Sequence, residues 1–327
     1  MSLTAENRAS FEELIEPYRS ELHAHCYRML GSVHDADDAL QDALLRAWRA
    51  LPDFEGRSSR RSWLYRIATN SCLRLIERRP RRVLPIDYGP PADAHDAPAA
   101  PLVESVWLEA YPDAAVAEGY AAPEARYEQR ESVELAFVAA LQHLPARQRA
   151  VLIMRDVLGF SGAEVAAQLD SSPEAVYSTL QRAHKTVDQR LPEHSQQATL
   201  RSLGDARLQD LVSSYADAWE RGDVDAIVAM LTEDVTVAMP PQPSWYLGIA
   251  QARAFLARGP LAPGPQRRAR LTHANGQLAV GVYYTGETRP RQVLDLLTLT
   301  DDGRIAAITA FVGAELQPFG LPAALPD

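Results

Sequence analysis

The chain has 327 residues and a mass of 36.0 kDa, more than one hydrophobic core usually serves, so two or three domains are expected. Hydrophobic residues make up 46% and charged residues 23%, no apolar run approaches the roughly 20 residues a bilayer needs, and the start MSLTAENRASFEELIEP carries acids where a leader would be basic. The expectation is therefore a cytoplasmic protein without a membrane partner. A net charge of −10 argues against nucleic acid until its distribution is read: from Arg57 to Arg82 nine arginines face Glu77 as the single acid, a local footprint that suits phosphates.

Residues 10–82 read as helices, with Leu14, Tyr18, Leu22, Tyr27 and Leu30 as an apolar stripe closed by Gly31, a second helix from about Asp35 to Ala50, a loop at Pro52–Arg60, and a long helix that Ser62 can cap and Pro80 ends. Cys26 and Cys72 fall inside helical patterns and read as reduced core thiols. His23 and His25 point to different sides of a helix, so no metal and no cofactor are expected. On the second helix Asp38, Gln41, Asp42 and Leu45 share one side while Leu40, Leu44 and Trp48 face inward; that mixed face suits either a basic partner helix or plain solvent. In the long helix Trp63, Tyr65, Arg66, Asn70 and Arg74 combine rings, an amide and guanidinium groups. Rings can stack on unpaired bases while arginines hold phosphates, and Trp63 can equally belong to the core.

Residues 83–122 change character, rich in Pro and Ala with acids in excess, and read as a linker. Helical periodicity returns from Pro123 to about Leu191. Within it SGAEVAAQLDSSPEAVYSTLQRAHK (161–185) has Ser161 and Glu164 as a capping box, a turn at Asp170-Ser171-Ser172, and Pro173 at the first position of the next helix. This is a helix-turn-helix. Val176, Leu180, Ala183, Val187 and Leu191 form its buried stripe, leaving Glu174, Ala175, Tyr177, Ser178, Gln181, Arg182, His184 and Lys185 outward, a set that suits a major groove as well as the solvated face of an ordinary helical hairpin. A polar connector follows at 193–204.

From Asp205 the pattern predicts helices around Leu208–Trp219 and Val224–Leu231, a strand at Val235–Met239, a helix near Ile249–Leu256, and strands in which Leu278, Val280, Val282 and Tyr284 alternate. The runs Val293–Thr300 and Ile305–Val312, joined by Asp301-Asp302-Gly303, read as a hairpin, and helices followed by strands imply an α+β domain. The domains are thus 1–82, the linker 83–122, 123–192, the connector 193–204, and 205–327.

FEELIEPYRSELHAHCYRMLGSVHDADDALQDALLRAW with FEGRSSRRSWLYRIATN resembles the first domain of the extracytoplasmic-function (ECF) group of bacterial sigma factors, and HLPARQRAVLIMRDVLGF with the helix-turn-helix resembles their last. The linker segment VWLEAYPD (106–113) is similar to a WLEPYPD-type motif found with SnoaL-like tails, with Ala110 in place of the proline. YADAWERGDVDAIVAMLTEDVTVAMPPQPSWYLG (215–248) and ITAFVGAELQPFGLP (308–322) look like that tail. The resemblance implies two all-α domains, a region-2-like bundle and a region-4-like helix-turn-helix domain, plus an α+β SnoaL-like cone. It implies core RNA polymerase and promoter DNA as partners, a non-enzymatic role in initiation, and a regulatory tail whose pocket could take a small ligand; on an anti-sigma protein it says nothing. By position, Asp38, Gln41, Asp42 and Leu45 would contact polymerase. Arg57, Arg60, Arg61, Trp63, Arg66, Asn70 and Arg74 would open and read the minus-ten element, and Ser172 with Glu174 to Lys185 the minus-thirty-five element. Trp107 and Tyr111 would make an interdomain contact.

The rival readings are a repressor that uses the helix-turn-helix alone, which leaves the arginine-rich stretch unexplained, and an enzyme of the cone-fold kind. For the latter, Trp245, Tyr246, His273, Tyr283 and Asp295 are the candidate groups, without an acid-base pair fixed by spacing.

Overall fold

Gly31 takes φ 72° and stops the first long helix, and Ser32 immediately restarts the chain by accepting the Asp35 N–H on its hydroxyl (3.1 Å). Such local signals set the boundaries through a computed structural model that describes residues 11–56, 58–102, 106–114, 130–285 and 291–325. The chain divides into two compact units: residues 1–82 with 115–192, and residues 83–114 with 193–327.

The first unit is helical. Its elements are α1 (Arg19–Leu30), α2 (Val33–Ala50), α3 (Arg60–Ile76), α4 (Leu135–Gln142), α5 (Ala146–Leu152) running into a π-helical turn at Ile153–Val157, α6 (Gly162–Gln168) and α7 (Pro173–Val187). Leu22, Tyr27 and Leu30 are buried as the stripe requires, while Leu14 and Tyr18 are half-buried. Trp48 turns inward onto Phe11, ring centroids 5.0 Å apart. The expected cap of the long helix is corrected by one step in the hydrogen-bond pattern. Ser59 is the N-cap, its hydroxyl accepting the Ser62 N–H (3.0 Å), and Ser62 lies buried in the first turn, accepting the Gln168 amide (3.0 Å). Both serines fit a cap by type, and Ser59 wins because it stands where the backbone is still extended. Cys26 and Cys72 are free thiols in the core.

Polar groups tie α1 to the second half of this unit. Arg28 Nε donates to Ser132 O (3.2 Å), Gln142 Nε2 donates to Arg28 O (3.3 Å), and the buried Arg149 guanidinium donates to Met29 O, to Gln142 Oε1 (2.5 Å) and to Leu144 O (3.2 Å).

In the second unit, α8 (Gln196–Leu203), α9 (Asp205–Arg221), α10 (Val224–Ala229) and α11 (Ile249–Arg258) pack on a sheet of β1 (Leu231–Ala238), β2 (Trp245–Leu247), β3 (Gln266–Ala274), β4 (Gln277–Thr285), β5 (Arg291–Leu299) and β6 (Ile305–Val312). The strand order is β2-β1-β6-β5-β4-β3, with β1 and β6 parallel and the other neighbours antiparallel. The expected β5–β6 hairpin is present, with Gly303 at φ 80° in its turn. The expected helix reaching Leu231 ends at Ala229, and β1 begins at Leu231 because that backbone bonds in register with Ile305. Two strands escaped the pattern. β2 is short, and β3 is an edge strand whose arginines break the apolar alternation, although Asn275-Gly276, with φ 53° and 66°, is a strong hairpin signal before β4. The polar segment 193–204, expected as a connector, holds α8: Gln196 pairs both ways with the Leu299 backbone, donating to its oxygen (2.9 Å) and accepting its N–H (2.7 Å).

Residues 83–114 share this core. Tyr111 N–H donates to Asn275 Oδ1, Asn275 N–H donates to Tyr111 O, and Gly276 N–H donates to Asp113 Oδ1, each at 2.8 Å. Trp245 Nε1 donates to Gly89 O (2.8 Å) and Ala92 N–H to Trp245 O (2.8 Å). Asn275→Ala should therefore destabilise the second unit, by about 1–3 kcal/mol for the buried N–H left without its acceptor and by about 1–2 kcal/mol for the left-handed backbone. Asn275→Gly should show only the first cost, and urea unfolding of both variants separates the two.

Candidate nucleic-acid interface

α7 presents its two faces as the sequence requires. Ser172 caps the helix by accepting the Ala175 N–H (3.2 Å), Pro173 occupies the first helical position, and Asp170 takes φ 49° in the turn after α6. The capping box of Ser161 and Glu164 is formed in both directions. Val176, Ala183 and Val187 are buried and Leu180 is half-buried; Leu191, also half-buried, lies beyond the helix end at Val187. Glu174, Ala175, Tyr177, Ser178, Gln181, Arg182, His184 and Lys185 are all exposed. Several of them have partners within the unit: His184 Nε2 lies 2.8 Å from Asp156, the Arg155 guanidinium sits 6.0 Å from the Tyr177 ring centre, Ser178 donates to Ala175 O (3.1 Å) and Arg182 to Thr179 Oγ1 (3.0 Å).

The arginine-rich stretch is less open than its composition suggests. Arg57 lies outside the described residues, and Arg60 is exposed. Arg61 donates to Leu158 O (3.1 Å) and stacks on Tyr65 and Phe160, while Arg66 reaches Asp170 (3.4 Å). Trp63 is half-buried against Phe54, ring centroids 4.9 Å apart, and Asn70 is half-buried. Arg74 donates to Asp42 (3.4 Å), whose carboxylate also accepts from Arg46 (2.8 Å) and Ser71 (2.8 Å); the Arg46 bond above all holds that carboxyl below its ordinary range. Asp38, Gln41 and Leu45 are exposed along α2, Leu45 at 48%, so this face is open to a partner even though Asp42 and, through Arg79 (3.4 Å), Asp38 are engaged within the unit. Sequence reasoning missed the second role of these charges, because ion pairs across elements leave no local signal.

Trp107 and Tyr111 are buried in the second unit, Tyr111 on the Asn275 turn and Trp107 in a bridge to Val83. The candidate groups of the cone are scattered. Trp245 is bonded to Gly89, Tyr246 stacks on Phe255 (4.5 Å), Tyr283 donates to Pro322 O (2.7 Å), and His273 is exposed on the edge strand. Asp295 is fully buried and accepts from Tyr215 (2.9 Å); burial pushes its carboxyl up to about 7, against a smaller downward pull from that bond.

Three family models match: Sigma-70 region 2 over residues 14–82, Sigma-70 region 4 over 134–187, and a SnoaL-like domain over 212–308. The ECF RNA polymerase sigma factor SigG of Mycobacterium tuberculosis is 43% identical over 325 residues, 98% of this chain and 86% of the relative. SigM of the same organism is 33% identical over 179 residues, 55% of this chain and 76% of that one. The crystal structure of Mycobacterium tuberculosis SigJ shares the fold with a TM-score of 0.59 at 21% identity, covering 95% of this chain and 99% of that one.

The Asp295 carboxyl binds its proton more tightly when folded, so its contribution is fully present below the unfolded value of 3.8 and is lost as pH rises to about 7. Asp295→Asn should remove that loss: its melting temperature should exceed that of the parent at pH 8, by an amount on the order of a few kcal/mol in stability, and the two should converge near pH 4. Parallel melting curves across this range would exclude a buried ionisation at Asp295.

Proposed function

The chain belongs to the ECF RNA polymerase sigma factors, and we propose which of its residues do the work of promoter recognition and how the second unit controls them. The observation that carries the reading is the exposed side of α7: every outward residue from Glu174 to Lys185 is accessible, while Val176, Ala183 and Val187 anchor the opposite side. With Ser172 fixing the entry of the helix, this face reads the minus-thirty-five element in the major groove. Asp38, Gln41 and Leu45, with Asp42 behind them, dock on core polymerase. Arg57, Arg60, Arg61, Trp63, Arg66, Asn70 and Arg74 form the minus-ten reader, which acts on unpaired bases. Such work is done in the cytoplasm and requires no catalysis; the single buried carboxyl of the cone has no base or acid partner beyond Tyr215 among the described residues.

Arg61 and Arg66 are bonded to Leu158 and Asp170 of the same unit, so the described arrangement is the resting one, and the two DNA-reading halves part before both elements are read. The second unit supplies the control. The segment that leaves the first half at Arg82 and returns to the second at Ala115 is held on the second unit through Tyr111 and Asp113 at the Asn275-Gly276 turn, with Trp107 buried against Tyr88 beside Val83. Whatever loosens or tightens that hold changes how far the halves can separate.

Asp38→Arg is expected to lower core-polymerase affinity at least about tenfold with an unchanged melting curve, since its pair with Arg79 (3.4 Å) is exposed. Unchanged affinity would remove α2 from the docking surface. Arg182→Ala and Lys185→Ala should each flatten the salt dependence of promoter binding, by about one in the slope of log K on log salt. For control by the second unit, in vitro transcription with the parent chain, Asn275→Gly and Trp107→Ala is the comparison; equal transcript yields from all three would exclude this linkage.

A further inference from the structure

A cleft of about 410 Å³ opens within the first unit where the end of α3 meets the α4–α5 turn, a size within the range of roughly 300–1,000 Å³ typical of small-ligand sites. Its walls include Arg79, Arg81, Arg82 and Arg149, with Asp35 as the acid among them and Leu30 on its floor. Asp35 is engaged by two of the four guanidiniums, accepting from Arg82 (2.7 and 2.9 Å) and pairing with Arg79. Arg81 is exposed and has no acidic partner among the described residues. Arg149 is 4% exposed, its Nη groups are bonded to carbonyls and an amide oxygen, and its buried Nε–H has no acceptor.

We propose that this cleft is a binding site for a small, multiply charged phosphate compound, with a di- or triphosphate group held chiefly by Arg81 and Arg149 and flanked by Arg79. Three charges in excess over one carboxylate, walled on both sides by protein, form a concave cationic site too small for a duplex. The Arg81 guanidinium suits phosphate oxygens because it offers paired donors at fixed spacing, while Arg149, its Nη groups committed, offers its Nε–H and its charge. The electrostatics agree: the Arg149 guanidinium is pushed down to about 10, first by burial and then by the charge of Arg81, with no carboxylate raising it. An anion between the two relieves that repulsion. Because Arg79 and Arg81 come from the first half of the unit and Arg149 from the second, an occupied cleft also fastens the halves together.

Titration calorimetry of the full chain with inorganic tripolyphosphate at about 150 mM salt tests this. The expected result is one site per chain, with affinity reduced about tenfold to hundredfold by Arg81→Glu, as for loss of a charge-assisted hydrogen bond. Arg78→Ala removes a neighbouring charge outside the cleft and should leave the affinity unchanged. Arg81 is exposed, so both chains should melt alike; should Arg81→Glu misfold, Arg81→Ala is read in its place. Equal weakening by Arg78→Ala, or no saturable binding, would show diffuse attraction and overturn the site. A short non-promoter duplex is titrated in parallel. If the duplex binds with the Arg81 dependence and tripolyphosphate does not, the cleft serves the DNA backbone and the small-ligand assignment fails.

Discussion

At the C-terminal end of α1 the Tyr27 carbonyl is capped by Gly31 N–H (2.7 Å), and the next two, of Arg28 and Met29, are met from the other half of the unit. Gln142 donates to Arg28 O and Arg149 to Met29 O, bringing a full positive charge to the negative end of the helix dipole. A guanidinium buried to 4% exposure is tolerable only because carbonyl and amide oxygens surround it, and removing those oxygens would leave a desolvated charge uncompensated. This junction is specific where an apolar seam would be permissive. It fixes how the helix-turn-helix half sits on the helical half, and with it the contacts of Arg61, Arg66 and Ser62 with Leu158, Asp170 and Gln168.

The second unit depends on a different device. Its sheet accepts residues 83–114 through backbone hydrogen bonds at both ends: Gly89 and Ala92 at Trp245, Tyr111 and Asp113 at the Asn275-Gly276 turn. Because that segment lies in sequence between the two halves of the first unit, it is a tether and a part of another core at once. A purely disordered linker would leave the separation of the halves to chain statistics, whereas a segment with Trp107, Leu108 and Tyr111 buried sets it by the stability of a fold. Deleting the C-terminal residues would strip Tyr111 and Asp113 of the Asn275-Gly276 turn along with the whole sheet, so a point change at Asn275 perturbs the hold more cleanly than truncation does.

Much of this was legible in the residues. Gly31, the Ser161–Glu164 box and Pro173 each carry their meaning within four positions of themselves, and the structure places helix boundaries there. The exposed set of α7 followed from the 3.6-residue period alone. What the pattern could not give was non-local. Ser59 and Ser62 are interchangeable as cap candidates until the backbone is seen, and β3 hides its buried positions Arg267 and Ala269 behind arginines because an edge strand has one face in water. The Pro- and Ala-rich stretch looked coreless because its anchors are not periodic: Trp107 and Leu108 meet Val83 and Tyr88 within the stretch, and Tyr111 and Asp113 bond to the Asn275-Gly276 turn more than a hundred positions away.

The same non-locality governs the charges, and it changes what the arginine-rich stretch means. With Arg57 outside the described residues, eight arginines remain between Arg60 and Arg82, and five of them have partners inside the chain: Arg61 with the Leu158 carbonyl, Arg66 with Asp170, Arg74 with Asp42, Arg79 and Arg82 with Asp35. Among the described residues, Arg60, Arg78 and Arg81 are the exposed ones without an acid. The described arrangement therefore presents a weaker footprint to phosphates than the sequence carries. Parting the two halves would free Arg66 from Asp170, whereas Arg61 would give up Leu158 O and Phe160 but keep Glu21 (3.6 Å) and the Tyr65 ring on its own side. An exposed pair such as Arg66–Asp170 costs little to break, and a phosphate replaces the carboxylate at similar geometry. Were the halves to part as proposed, attraction to DNA would rise through Arg66 in the same step that makes both reading surfaces available, which would couple affinity to opening.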